Sequence, residues 1–361
     1  MDSERIISGR IWNGQGFDDG HLVISDGVIK EIVLGESAKD ADITGCVVPG
    51  IVDTHTHVAD AGLILDRKYG LEELVAPPNG LKHRYLSDTD GSKICDDMRS
   101  YISRLERSGV SRFMDFREGG IEGSRLLRSV SGNAVILGRP ISKEYDANEI
   151  DGILEFADGI GLPSITDMSA EYIDSVADHI HRKNKMLALH VSERIREDID
   201  RVISLEPDLI VHMTRASDSD MRDCADHGIP VSVCPSSNLY FGMTPPVGRM
   251  IDAGMDVSIG TDNGMLFPSA DIFDELRVMS RLLKDQGKAP ELAYSMLLAG
   301  GHKVLYKEAL TVDKTGKEPD IVVFPCSERE LLVGKAESVR YGPPRGWKDD
   351  IQQDPRPYGR K

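Results

Sequence analysis

Four short apolar runs in this chain of 361 residues end in a histidine or an acid, and that repetition constrains the fold more than any other feature. Val47-Val48-Pro49-Gly50-Ile51-Val52-Asp53 leads into Thr54-His55-Thr56-His57. Lys185-Met186-Leu187-Ala188-Leu189 ends in His190, with Glu193 three residues on. Asp208-Leu209-Ile210-Val211 ends in His212, and Met255 to Thr261 ends in Asp262. Side chains alternate faces along a strand, so His55 and His57 point the same way, about 7 Å apart, close enough to share one metal ion. For an isolated pair of this spacing a solvated strand face would be the better reading, and it is the recurrence that favours a metal clamp. A fold that gathers the C-terminal ends of parallel strands around one axis would bring all four places together, as the (β/α)8 TIM barrel does.

Length agrees, since such a barrel takes about 250 residues and leaves room for an accessory unit. No run of about 18 apolar residues occurs, and Met1-Asp2-Ser3-Glu4-Arg5 lacks the basic-then-apolar pattern of a signal peptide, so a cytoplasmic protein with no membrane contact is expected. Cys46, Cys95, Cys224, Cys234 and Cys326 are odd in number and scattered, which argues against a disulfide framework and a zinc knuckle. The net charge of −17 argues against duplex nucleic acid, whose phosphates need a basic face. A small-molecule substrate is the expected partner, and a homo-oligomer is compatible with the sequence.

The chain reads in three stretches. Residues 1–46 hold β-rich segments separated by turns such as Ser25-Asp26-Gly27, and the β character returns at Asp320–Phe324 and Ser338–Tyr341. Residues 1–46 with 316–345 are therefore expected to form a composite unit. Residues 47–315 alternate short apolar strands with amphipathic segments, the pattern of βα repeats. Strands are expected at Val47–Val52, Ser111–Phe116, Ala134–Leu137, part of Gly152–Gly161, Met186–Leu189, Leu209–Val211, Pro230–Cys234 and Val257–Gly260. Residues 346–361 are a polar tail with Pro355 and Pro357.

On these residues the sequence resembles the amidohydrolase superfamily, in its mononuclear cytosine/adenosine/guanine-deaminase-like, chlorohydrolase-related branch. Pro49 to His57 resembles the strand-one signature and His190-Val191-Ser192-Glu193 the strand-five motif. His212 stands at the strand-six position, Cys234-Pro235-Ser236-Ser237-Asn238 resembles the strand-seven motif, and Gly260-Thr261-Asp262-Asn263 the strand-eight motif. The resemblance implies an α/β fold, a (β/α)8 barrel with a small composite β-sandwich built from both chain ends. Binuclear members carry a bridging lysine after strand four; Gly159-Ile160-Gly161-Leu162-Pro163-Ser164 has none, which implies one metal ion.

His55, His57, His190 and Asp262 offer three nitrogens and one carboxylate oxygen, a set suited to one divalent ion, zinc first, with iron or manganese acceptable. Such an ion lowers the pKa of a bound water towards about 7. By the resemblance His212 hydrogen-bonds the attacking water and Asp262 accepts its proton, while Glu193 protonates a ring nitrogen and then serves the leaving amine. For His212 the alternative is an ordinary barrel histidine, and for Glu193 a solvated acid in the first turn of a helix.

Substrate choice is less constrained. Ala59 to Ser92, with Pro77-Pro78-Asn79-Gly80, is expected to be an irregular lid over the site. Arg117 and Arg139 follow strands two and three, where they either bind a carbonyl, carboxylate or phosphate of the substrate or pair with Glu118 and neighbouring acids. Asn238 is a further candidate for substrate binding. The expected activity is hydrolytic deamination of a purine, pyrimidine or related amino-heterocycle. The alternatives are a ring-amide hydrolase like imidazolonepropionase, another C–N or C–Cl hydrolase, and a silent metal-binding scaffold.

Overall fold

The computed structural model describes residues 4–76, 79–308, 311–312, 320–333 and 339–341. Pro77, Pro78, the 346–361 tail and parts of 316–345 lie outside the described residues. In chain order the strands are β1 (Arg5–Trp12), β2 (Phe17–Ser25), β3 (Val28–Leu34), β4 (Ile43–Pro49), β5 (Ile51–His57), β6 (Val110–Arg117), β7 (Ala134–Gly138), β8 (Gly159–Leu162), β9 (Met186–Val191), β10 (Leu209–His212), β11 (Val231–Val233), β12 (Val257–Ile259), β13 (Asp262–Asn263), β14 (Ile321–Phe324) and β15 (Val339–Tyr341).

Nine of them form a sheet in the order β12-β11-β10-β9-β8-β7-β6-β5-β13, with parallel neighbours throughout. β12 and β13 are two pieces of the eighth strand, separated by Gly260 and Thr261. Because β13 pairs with β5, at Asp262↔Thr56 and Asn263↔His57, the sheet closes on itself as a barrel. Such strands are buried on both faces and alternate between two cores. Met114 and Phe116 of β6, Val135 and Leu137 of β7, and Met186 and Ala188 of β9 fill the interior. Phe113, Ala134, Ile136, Leu187 and Leu189 face the helices instead. Helix Gly91–Arg107 is typical of that outer layer: Asp90 caps it by accepting from Ser92 N, and Ile94, Cys95, Met98, Tyr101, Ile102 and Leu105 form its buried stripe.

The two chain ends build one six-stranded sheet, β15-β14-β4-β1-β2-β3. Alternation again divides its faces. Ile7, Ile11, Leu22, Ile24, Val47, Ile321 and Val323 form a core of their own, while Cys46, Val48, Val322 and Phe324 pack towards the barrel.

The strand expected at Val47–Val52 is in fact two. Val47–Pro49 belong to β4, where Val47 lies opposite Ile11 and Val323, and the first barrel strand begins only after Gly50. The apolar run is continuous across that break because both strands are buried, so hydrophobicity alone does not mark it. The fourth barrel strand is Gly159–Leu162, after a helix at Ala147–Leu154. The segment expected to be irregular carries two short helices, Leu71–Val75 and Leu81–Asp88.

Candidate active site

The C-terminal ends of the barrel strands bring His55, His57, His190, Glu193, His212 and Asp262 together around one cavity of about 710 Å³, lined by all of these except His55, which is fully buried. Ligand atoms of His55, His57 and His190 all lie within 4.8 Å of one another, as do those of His55, His212 and Asp262. Asp262 Oδ1 is 3.4 Å from His55 Nε2 and 3.6 Å from His57 Nε2.

Delivery of these side chains depends on local backbone. β9 places His190 by simple alternation after Met186 and Ala188. His212 and Asp262 instead take left-handed backbone, φ 76° and 61°, which turns each inward where its strand stops. Such strain costs about 1–3 kcal/mol per residue and persists only where the surroundings hold it. At Gly260 a Cβ would lie 2.7 Å from His55 Cβ, so only glycine lets strand eight pass this close to His55.

Hydrogen bonds fix the imidazole tautomers. His57 Nδ1 donates to Phe116 O and His190 Nδ1 to Leu162 O, each at 2.9 Å, which leaves both Nε2 atoms as lone-pair donors. Among the described residues His55 Nδ1 has no hydrogen-bond partner and Nε2 meets only Asp262 Oδ1, at 3.4 Å, although the ring is fully buried. Burial lowers its pKa to about 3, so the ring is neutral at physiological pH. A buried, neutral imidazole among two other Nε2 atoms and a carboxylate fits one metal ion. Ser237 Oγ donates to Asp262 Oδ2 and Asn263 Nδ2 to Oδ1, which holds the carboxylate in place.

Glu193 faces His212, with Oε1 3.6 Å from Nε2. Burial pushes its carboxyl above the ordinary range, against the pull of His212. Asn238 Nδ2 donates to His212 Nδ1 at 3.1 Å, so His212 presents Nε2–H to the site. Asn238 is thus engaged with His212 and is not among the residues lining the cavity.

The two arginines separate. Arg139 lines the cavity, and its Nε is buried without a partner. Arg117 does not line it; its guanidinium is buried against Gly123 O at 3.3 Å and Glu118 Oε2 at 3.4 Å, the internal pairing that was the alternative for it. Parity explains the difference. Counting on from Phe116, position 118 faces the interior and position 117 the helices, whereas position 139 continues the inward face of Val135 and Leu137.

Sequence reasoning missed Glu118 and Lys82 as members of the site. Glu118 Oε1 lies 3.0 Å from His57 Nδ1 and 2.7 Å from Lys82 Nζ. Burial works against ionisation of Glu118, but Lys82, His57 and Arg139 outweigh it and hold the carboxyl well below its usual range. Strand parity sets Glu118 on the face opposite Arg117 without telling which of the two faces the site, and no pattern marks Lys82.

Comparisons with known proteins agree with this arrangement. The model of the amidohydrolase family matches residues 46–347. A putative aminohydrolase of Methanothermobacter thermautotrophicus is 32% identical over 287 residues, 71% of this chain and 73% of that protein. A 5'-deoxyadenosine deaminase of Methanosarcina mazei is 27% identical, covering 86% and 81%. Among solved structures, aminofutalosine deaminase of Helicobacter pylori superposes with a TM-score of 0.71 over 92% of this chain and 97% of that one, at 17% identity, a likeness of fold. With the barrel, the strand-end ligand set and a family match across most of its length in agreement, the chain belongs to the amidohydrolase family.

Proposed function

We propose that the protein is a metal-dependent hydrolase that deaminates an amino-heterocycle. The observation that carries this reading is the convergence of a metal-ligand set with an acid, Glu193, and an imidazole N–H donor, His212, around one cavity. His55, His57, His190 and Asp262 would hold one divalent ion, Zn²⁺ being the best match to three nitrogens and one oxygen, with Fe²⁺ or Mn²⁺ also suited. When bound, that ion supplies an activated water at neutral pH. Glu193, whose carboxyl burial pushes above its ordinary range, gives its proton to a ring nitrogen and makes the adjacent carbon electrophilic. Asp262 accepts a proton from the attacking water, and His212 Nε2–H donates to the oxygen that develops on that carbon. Glu193, now a carboxylate, takes the hydroxyl proton as C=O forms and carries it to the leaving nitrogen, and Asp262 passes its proton back to Glu193, so water and the C–NH2 group become C=O and ammonia with both carboxyls restored.

The cavity supports a substrate with more than a bare ring. Its floor is polar, while Leu71, Val75, Ile141, Met168, Ile195 and Phe241 make an apolar wall, and the volume is that of a pocket for a drug-sized ligand. Arg139 has no ion pair among the described residues, and we assign to it a carbonyl or anionic group on the substrate's extension; Arg117 leaves the substrate-binding set. The deaminase name of the relative from Methanosarcina mazei points to the same class, a purine nucleoside or related compound. The five cysteines are unpaired, which suits a reducing, cytoplasmic setting.

Ammonia release from a panel of amino-heterocycles, bare and extended, run on protein of measured metal content, tests the reading. Turnover with one ion per chain and stoichiometric ammonia is expected. Ring opening without ammonia would assign the protein to ring-amide hydrolysis, and ligand binding without turnover would make it a scaffold.

A further inference from the structure

Lys82 is 3% exposed and stands on helix Leu81–Asp88, outside the barrel, yet its ammonium reaches three different segments of the barrel. Nζ lies 2.7 Å from Glu118 Oε1 after strand two and 3.5 Å from Asp60 Oδ2 after strand one, and it donates to Asn263 Oδ1 at 3.0 Å in strand eight. An ammonium has three hydrogens, and here three acceptors surround it. Lys82 lines the cavity, and its ammonium, hydrogen-bonded to Asn263 and ion-paired with Glu118 and Asp60, is placed to hold these parts of the molecule together.

Two of those acceptors touch the metal-ligand set. Glu118 Oε1 sits 3.0 Å from His57 Nδ1, and Asn263 Nδ2 donates to Asp262 Oδ1 at 2.8 Å. Partners of this kind fix the orientation and basicity of metal ligands. In the other direction, helix Leu81–Asp88 is tied to helix Leu71–Val75, because His83 Nε2 donates to Val75 O at 3.1 Å and Gly80 N to Ala76 O at 2.8 Å. Leu71 and Val75 form part of the cavity wall. A continuous set of contacts therefore runs from His57 and Asp262, through Glu118, Asn263 and Lys82, to an apolar wall of the substrate cavity.

We propose that Lys82 and Glu118 are positioning residues that couple occupancy of the metal site to the seating of the cavity wall. The inference rests on the metal-site reading given above. An ion drawn to His57 and Asp262 fixes Glu118 and Asn263, those two fix Lys82, and Lys82 seats the helix pair. By linkage the same free energy acts in reverse, so a seated helix pair strengthens metal binding.

The test uses Zn²⁺ and the full chain. In the wild type, Zn²⁺ should slow amide hydrogen exchange in Leu71–Val75 and Leu81–Asp88 by tenfold or more relative to the apo protein. Lys82→Met should abolish that slowing and weaken Zn²⁺ affinity, measured by competition with a chromogenic chelator, by about 10–100-fold. If Lys82→Met misfolds because Glu118 loses its counter-charge, Lys82→Met/Glu118→Gln removes both charges and carries the same expectation. Ile7→Ala, buried in the terminal sheet, should lower the melting temperature and leave Zn²⁺ affinity unchanged, which separates positioning from general destabilisation. A wild type that binds no Zn²⁺ would overturn both the metal site and the coupling. Zn²⁺ binding with unchanged exchange in the two helices, or an affinity of Lys82→Met within twofold of wild type, would overturn the coupling alone.

Discussion

Gly260→Ala tests the claim that the spacing between strands one and eight sets the geometry of the metal site. The added methyl would meet His55 Cβ at 2.7 Å and the His55 backbone N and O at 2.9 Å. Restoring an ordinary separation of 3.4 Å to the first requires a displacement of 3.4 − 2.7 = 0.7 Å. His55 has little room to yield, since its ring packs 4.4 Å from Phe116 and 4.9 Å from His190, centroid to centroid. The strand must therefore move and take Asp262 with it. Overpacking of this size costs about 1–3 kcal/mol, and displacement of a catalytic constellation by about 1 Å lowers turnover by roughly 10²-fold. We expect a melting temperature lower by several degrees, Zn²⁺ affinity reduced at least tenfold by chelator competition, and ammonia release reduced about 10²-fold at saturating metal. Affinity and turnover within twofold of wild type would show that the strands accommodate the methyl without disturbing His55, and would refute the reasoning.

Glu193→Gln preserves volume and removes the transferable proton, so metal content should hold while kcat falls by roughly 10²-fold or more; loss of metal would make Glu193 a ligand instead. Arg139→Met should lower kcat/KM by about tenfold with metal content and melting temperature unchanged, whereas Arg117→Met should lower the melting temperature and spare kcat/KM; the reverse pattern would exchange their assignments. Glu275 is 2% exposed, and burial raises its pKa to about 8 against the hydrogen bonds from Ser236. The folded protein keeps a proton there that the unfolded chain loses near pH 4.3, so this group's contribution to stability falls as pH rises between those values, by up to about 1.4 kcal/mol per pH unit. Urea titrations should show wild type losing more stability than Glu275→Gln between pH 5 and pH 8, and parallel losses would place the Glu275 pKa near its ordinary value.

The convergence of the candidate ligands was legible because strand ends in a barrel meet whatever the intervening sequence. His55, His57, His190, His212 and Asp262 each follow an apolar run, and the topology does the rest. What was not legible is which way a side chain faces on a strand buried on both sides. Phe113 to Phe116 is apolar on either face apart from Asp115, so nothing in the pattern says that Arg117 turns towards the helices and Glu118 towards the site. The break at Gly50 was hidden for the same reason. Asn238 carries a side chain equally able to meet substrate or His212, and only the fold shows it 3.1 Å from Nδ1. Lys82 lies in a segment without periodicity, where a buried ammonium leaves no trace in the pattern.

The division of the eighth strand into β12 and β13 has a kinetic consequence. The contacts that join strand one to strand eight link residues about 205 apart in sequence, among them Thr54 Oγ1 donating to Ile259 O, Thr261 Oγ1 donating to Asp53 Oδ2, and the two pairs of β13 with β5. Contacts so remote in the chain form late, after the local βα units have assembled. The barrel thus has a seam, closed by a β13 of only two residues, and the proposed ligands lie across it, with His55 and His57 on one side and Asp262 on the other. A cation held there would act as a rivet on the last joint to form. Unfolding that begins by unzipping β13 from β5 must break that rivet first, so metal should slow unfolding far more than it speeds folding.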